Sequence, residues 1–168
     1  MKKLFFLATI LMAVNFNAQE KQDTLITKDG KITFEKVIEL NLFDKAKIYN
    51  KALEFSAKYL ISANDEIQLK DKDQGKIIIK TSELLKYNMG KGILSELIII
   101  ECKDGKSRIQ VTNFSFIHQN YPTKIIIAEE YPKSWMGRNS FYSSIKSSAE
   151  KIISDFGAYM VSEKKDEW

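Results

Sequence analysis

Ile98-Ile99-Ile100-Glu101-Cys102-Lys103-Asp104-Gly105-Lys106-Ser107-Arg108-Ile109-Gln110-Val111 is the stretch that decides the fold. Asp-Gly is the preferred pair for a two-residue type I′ turn, which needs φ > 0 at both positions. With the turn at Asp104-Gly105, Lys103 faces Lys106, Cys102 faces Ser107 and Glu101 faces Arg108. Ile100 then faces Ile109, and Ile98 faces Val111. Directly opposed residues share a face of the hairpin, so the isoleucines, Val111 and Cys102 lie on one side and the Glu101–Arg108 pair on the other. Apolar and charged pairs sort without adjustment, which fixes the register.

The second strand changes period near Asn113. Odd positions are apolar before it (Ile109, Val111), and even positions are aromatic after it (Phe114, Phe116). A β-bulge at Asn113 is one reading, because an extra residue re-aims the side chains that follow. The other is a second covered face.

Working outward, Ile32, Phe34, Ile38 and Leu40 alternate as a strand, with Lys36 as the one polar lapse. A helix follows, placed at Leu42 to about Leu60 with Asn41 as its N-cap and Asp44 in the first turn. Its stripe is Leu42, Ala46, Tyr49, Leu53 and Leu60, with Ala52, Phe55 and Tyr59 beside it. Ile67–Leu69, the turn Asp71–Gly75 and Lys76–Lys80 form a second hairpin. Tyr87–Gly92 gives a loop signal, into which the strand after Lys80 could extend. Residues 119–139 carry both prolines and an apolar island at Ile125–Ile127 that fits a short strand. A last helix from about Ser140 to Ser162 carries Phe141, Ile145, Ala149, Ile152, Phe156 and Tyr159 at helical spacing. The order β-α-β-β-β-β-α predicts an α+β domain: one antiparallel sheet with two helices on one face.

The 168 residues hold 26 Lys+Arg against 22 Asp+Glu, a single His and a single Cys. That length fits one domain with a real core. One Cys excludes an internal disulfide and a Cys-cluster zinc site. Residues 1–18 read as a secretory signal peptide: Lys2 and Lys3, the apolar run Leu4–Val14, then Asn15-Phe16-Asn17-Ala18. The apolar run is too short to span a bilayer, so no transmembrane segment is expected in the mature chain. Cleavage near Ala18 removes two lysines and leaves 24 basic against 22 acidic residues, close to neutral. Residues 19–30 are expected as a flexible lead-in and 31–165 as the domain, exported to the periplasm or the exterior.

Together the segments Leu42-Phe43-Asp44-Lys45-Ala46, Ala52-Leu53-Glu54-Phe55, Asp73-Gln74-Gly75-Lys76-Ile77 and Lys103–Arg108, followed by Phe114 and Phe116, resemble a known family. It is the exported bacterial domain of unknown function 4468, with a TBP-like fold. The resemblance runs from about Val37 to Ile117, with a departure at Ile79-Lys80, where the family commonly has Gly. It implies the TBP-like fold and an exported protein of Gram-negative Bacteroidetes. It brings no catalytic residues and no cofactor.

Candidate chemistry is sparse. Asp71-Lys72-Asp73-Gln74-Gly75 lacks the third acid and the twelfth-position Glu of a calcium loop, so it reads as a turn. Arg108 and Arg138 are the only arginines, too few for a phosphate-binding face, so nucleic acid is not expected as a partner. Cys102 falls on the core face, where thiols act as small hydrophobes. No cofactor or metal is expected. The sheet face opposite the helices is read as Leu97, Ile99, Phe114 and Phe116, with Ile78, unless residues 119–138 cover it. Such an apolar patch marks an interaction site for a protein, a hydrophobic ligand or a second copy. The alternative is an envelope hydrolase using His118 and a Ser, which requires a pocket joining the two.

Overall fold

A computed structural model describes residues 27–59, 67–88, 90–132, 134 and 136–162. The leader, most of the lead-in and the expected helix end at Leu60 lie outside these residues.

Seven strands form one antiparallel sheet: β1 Thr27–Lys28, β2 Lys31–Glu39, β3 Ile67–Asp71, β4 Lys76–Tyr87, β5 Gly90–Lys103, β6 Lys106–His118 and β7 Ile125–Ile127. Their spatial order is β1-β2-β6-β5-β4-β3, with β7 also paired to β6. Helices α1, Lys45–Tyr59, and α2, Arg138–Val161, pack on one face. The predicted α+β order is borne out. The strand pair Thr27–Lys28 lies within the expected lead-in, so the sheet starts before residue 31.

The decisive hairpin has the predicted register at every pair from Ile98↔Val111 to Lys103↔Lys106. Glu101 accepts from Arg108 Nε at 3.0 Å on the helix-free side. The turn itself differs from the expected type. Gly105 has φ 74°, but Asp104 does not share a positive φ. Long-range hydrogen bonds hold this turn instead. Asp104 Oδ1 accepts the Lys45 N–H at 2.7 Å, Gly105 N donates to Phe43 O at 2.9 Å, and Leu40 N donates to Gly105 O at 2.7 Å. The doubly positive turn sits at Asp29-Gly30, φ 53° and 75°.

The same contacts move the start of α1. Leu40–Phe43 closes a turn, with Phe43 N donating to Leu40 O at 2.8 Å. Asp44, not Asn41, then caps the helix, its Oδ1 accepting the Lys47 N–H at 2.7 Å. Leu42 is left 95% exposed, and Ala46 is exposed too. The buried stripe becomes Ile48, Tyr49, Ala52, Phe55 and Ser56. The side of the helix read as secondary is therefore its central seam.

Strand β4 runs through to Tyr87, and Tyr87 pairs with Gly90, so the expected loop is a tight hairpin. Strand β6 carries the bulge. Asn113 has φ 56°, and the β5 pairing jumps from Ser95↔Ser115 to Leu97↔Thr112. Asn113 and Phe114 thus oppose Glu96 alone. On the other flank of β6, β2 pairs up to Thr112 and β7 takes over at Ser115. The bulge falls where β6 changes partner. Glu129 closes that junction by accepting the Ile32 N–H at 2.7 Å.

Between sheet and helices lies a single core, with Ile77, Ile79, Leu94, Ile98, Ile100, Ile109, Val111, Phe114, Phe116, Phe141, Ile145 and Phe156 fully buried. Phe55 meets Phe156 edge-on at 5.1 Å, and Phe116 meets Phe141 at 5.3 Å. The first contact joins α1 to α2, and the second holds α2 to the sheet.

Candidate functional site

Phe114 and Phe116 are not on the helix-free face. Both are fully buried on the helix side, because the bulge turns the even positions after Asn113 toward the core that Ile109 and Val111 also enter. Leu97, Ile99 and Ile78 do lie on the outer face, half-buried, with Ile78 paired to Ile99.

A more exposed set joins them. Leu84 pairs with Ile93, Ile93 with Ile117, and Ile117 with Ile125. Directly paired residues share a face, so these four form one row across β4, β5, β6 and β7. Leu84 is 56% exposed, Ile93 43% and Ile125 63%. The next row is Ser82, Ser95, Ser115 and Ile127, with the Ser82 and Ser95 hydroxyls 2.7 Å apart. Exposed Lys80, Lys86 and Lys91 border the patch on the same face. The sequence reading missed Leu84, Ile93 and Ile125 because their rows exist only once Tyr87 and Gly90 are paired. Two residues of the segment 119–138 point to the other face. Tyr131 turns to the helix side and stacks on Phe141 at 4.3 Å, and Tyr142 donates to Ala128 O at 2.9 Å.

His118 stands at the end of β6 in a cleft of about 520 Å³, with Tyr87, Tyr121, Lys124, Tyr131 and Ser134 among its lining. Its Nδ1 accepts the Asn120 N–H at 3.0 Å, which places the ring proton on Nε2. Among the described residues no carboxylate or hydroxyl hydrogen-bonds this imidazole, so the nucleophile–base contact of the hydrolase reading is not made. The ring packs 5.6 Å from Tyr121 and 6.2 Å from Phe116. Two β5 glycines make room for these rings: a Cβ at Gly92 would lie 2.5 Å from Phe116 Cζ and 2.1 Å from Ile117 O, and one at Gly90 would lie 2.5 Å from His118 Nε2. The rings of β6 lie across β5 only because β5 has no side chains at those points.

Glu96 and Cys102 are buried titratable groups away from the cleft. Glu96 is 2% exposed, its Oε2 has no hydrogen-bond partner among the described residues, and burial, reinforced by the charge of Glu83, pushes its carboxyl up to about 8. Burial pushes the Cys102 thiol up to about 11, with Ser107 as its hydroxyl neighbour at 3.8 Å. That raised value leaves little thiolate for chemistry at neutral pH. Among the described residues no group of three or more His, Cys, Asp or Glu could hold a metal, and no helix is long and apolar enough to cross a membrane.

Comparison with known proteins agrees with this architecture. A DUF4468 family protein from Bacteroides ovatus superposes with a TM-score of 0.70 at 17% identity, over 84% of this chain and 92% of its own. A TBP-like protein from Parabacteroides distasonis gives a TM-score of 0.72, also at 17% identity, over 81% of this chain and 96% of its own. No curated protein matches the chain. The family model described as a domain of unknown function (DUF4468) with TBP-like fold matches residues 34–117, half of the sequence, from Phe34 on β2 to Ile117 on β6. This chain belongs to the DUF4468 family and has its TBP-like fold.

Proposed function

We propose that the protein is an exported, non-enzymatic binding module whose helix-free sheet face docks a partner protein. The observation that carries this reading is the row Leu84–Ile93–Ile117–Ile125, four directly paired apolar residues left open on one face. Contiguous apolar surface of this kind costs solubility unless something covers it in use. The row spans four strands, which fits a protein surface better than a small molecule. Lys80, Lys86 and Lys91 at its border fit acidic groups around an apolar patch on the partner. Export rests on the leader at residues 1–18. The non-enzymatic reading is supported by His118, whose Nδ1 is taken by a backbone N–H.

A photo-crosslinking residue at position 93 of the full chain, expressed in an exporting host, tests it. A discrete protein adduct is expected, lost when Ile125→Lys is added, and absent when the crosslinker sits at Lys47 on the exposed side of α1. No adduct from position 93, or one that survives Ile125→Lys, overturns the reading.

A further inference from the structure

Building on that reading of the sheet face, we infer that its occupant is an amphipathic α-helix of the partner protein. The helix lies across the strands, along the row Leu84–Ile93–Ile117–Ile125, and carries acidic residues on the flank that meets Lys86 and Lys91.

The apolar surface has a direction. Along any one strand the outer side chains change character at each step. Strand β4 presents Lys86, Leu84, Ser82 and Lys80 in turn, and β5 presents Lys91, Ile93, Ser95 and Leu97. A segment running parallel to the strands would meet an ammonium, an apolar group and a hydroxyl in succession. Across the strands the surface is uniform, because Leu84, Ile93, Ile117 and Ile125 are direct partners on four neighbouring strands. The strip is one residue wide, with lysines on one side and the Ser82–Ser95 hydroxyl pair on the other.

Spacing selects the backbone of the occupant. Neighbouring strands stand about 4.8 Å apart, so the four side chains are evenly spaced over about 14 Å. A helix returns a side chain to one face about every 5.4 Å, and contacts at i, i+4, i+7 and i+11 stay nearly in step with the row. An extended chain repeats each face about every 6.8 Å and slips by about 2 Å at each contact.

Charge fixes how the helix is turned about its own axis. Lys86 and Lys91 are exposed and paired with each other, one step beyond Leu84 and Ile93. A carboxylate on that flank of the helix meets an ammonium at the rim, while the opposite flank lies over serines. A basic helix would meet like charge there.

The test uses the mature protein purified from an exporting host and labelled peptides of about 18 residues, followed by fluorescence anisotropy. The probe is an alanine–glutamine helix with leucine at i, i+4, i+7 and i+11 and glutamate on one flank of that stripe. Comparators carry lysine for glutamate, or a central proline that breaks the helix. Saturable binding of the glutamate helix is expected, about tenfold or more tighter than either comparator. Lys86→Glu combined with Lys91→Glu should reverse the preference between the glutamate and lysine helices. The unfolding temperature should not change, since both side chains are exposed. Photo-crosslinkers at positions 84 and 125 should mark opposite ends of the probe. Absence of saturation, equal binding of the proline peptide or of the lysine helix, a preference that survives the double reversal, or both crosslinks on one leucine each overturns the inference. A protein adduct from position 93 without binding of the glutamate helix overturns the helix and leaves the docking face standing. Loss of both overturns both.

Discussion

The two halves of β6, before and after Asn113, are built on opposite parities and serve one core. In the first half the odd residues Ile109 and Val111 point in, and β2 lies alongside. In the second half the even residues Phe114 and Phe116 point in, and β7 lies alongside. One extra residue at φ 56° converts one pattern into the other. A change of period along a strand is therefore a step in register, and the aromatic residues after it belong to the same face as the aliphatic residues before it. The outer face after the step belongs to Ser115 and Ile117. Glu96, the single β5 residue opposite the bulge, faces inward by the regular alternation of β5, and its Oε2 has no hydrogen-bond partner among the described residues.

Phe114→Asp tests this most severely, because it sets a carboxylate among fully buried rings, and no cooperative urea transition is expected. Wild-type unfolding of that variant would refute the register account. Next in size, Phe116→Ala should cost about 3–5 kcal/mol, while Ile117→Ala beside it should cost less than about 1 kcal/mol. Equal losses in denaturant titrations would mean that the two faces had been confused.

Glu96 provides a pH test of the β5 residue opposite the step. Its folded value of about 8 lies above the ordinary 4.5, so the folded chain keeps a proton that the unfolded chain releases. Stability should fall as pH rises from 4.5 toward 8 and level off beyond, by up to about 1.4 kcal/mol per pH unit. Glu96→Gln should remove that slope, leaving a protein more stable than wild type at pH 8 and similar at pH 4. Thermal unfolding at the two pH values reads it, and parallel curves for the two proteins would defeat it. The smallest expected effect is that of Asn113→Val, about 1–2 kcal/mol, since a β-branched residue resists the left-handed backbone that Asn tolerates. Asn113→Gly should be near neutral in the same measurement.

The hairpin register was legible because each cross-strand pair is a local test of like with like, repeated five times around Asp104-Gly105. The bulge was legible as a change of parity. Its consequence was not, since local alternation does not say whether a strand has turned over or its core has continued; the neighbours β5 and β7 decide that. Asn41 and Asp44 are both good caps three residues apart, and the choice between them is made by hydrogen bonds from residues about 60 positions away. The cleft drew on Tyr87, His118, Tyr121 and Tyr131, which share no motif and meet only when β4, β6 and the segment after β7 are assembled.

The bonds from Asp104 and Gly105 to Leu40, Phe43 and Lys45 carry a consequence for the order of assembly. The amino end of α1 has part of its hydrogen bonding supplied by a turn that is synthesised much later. A nascent chain that has reached residue 60 lacks those partners, so α1 frays at that end until the β5–β6 hairpin closes on it. Hairpin closure then anchors the helix and the β2 end in one event, which couples the first and last parts of the sheet in a single cooperative transition.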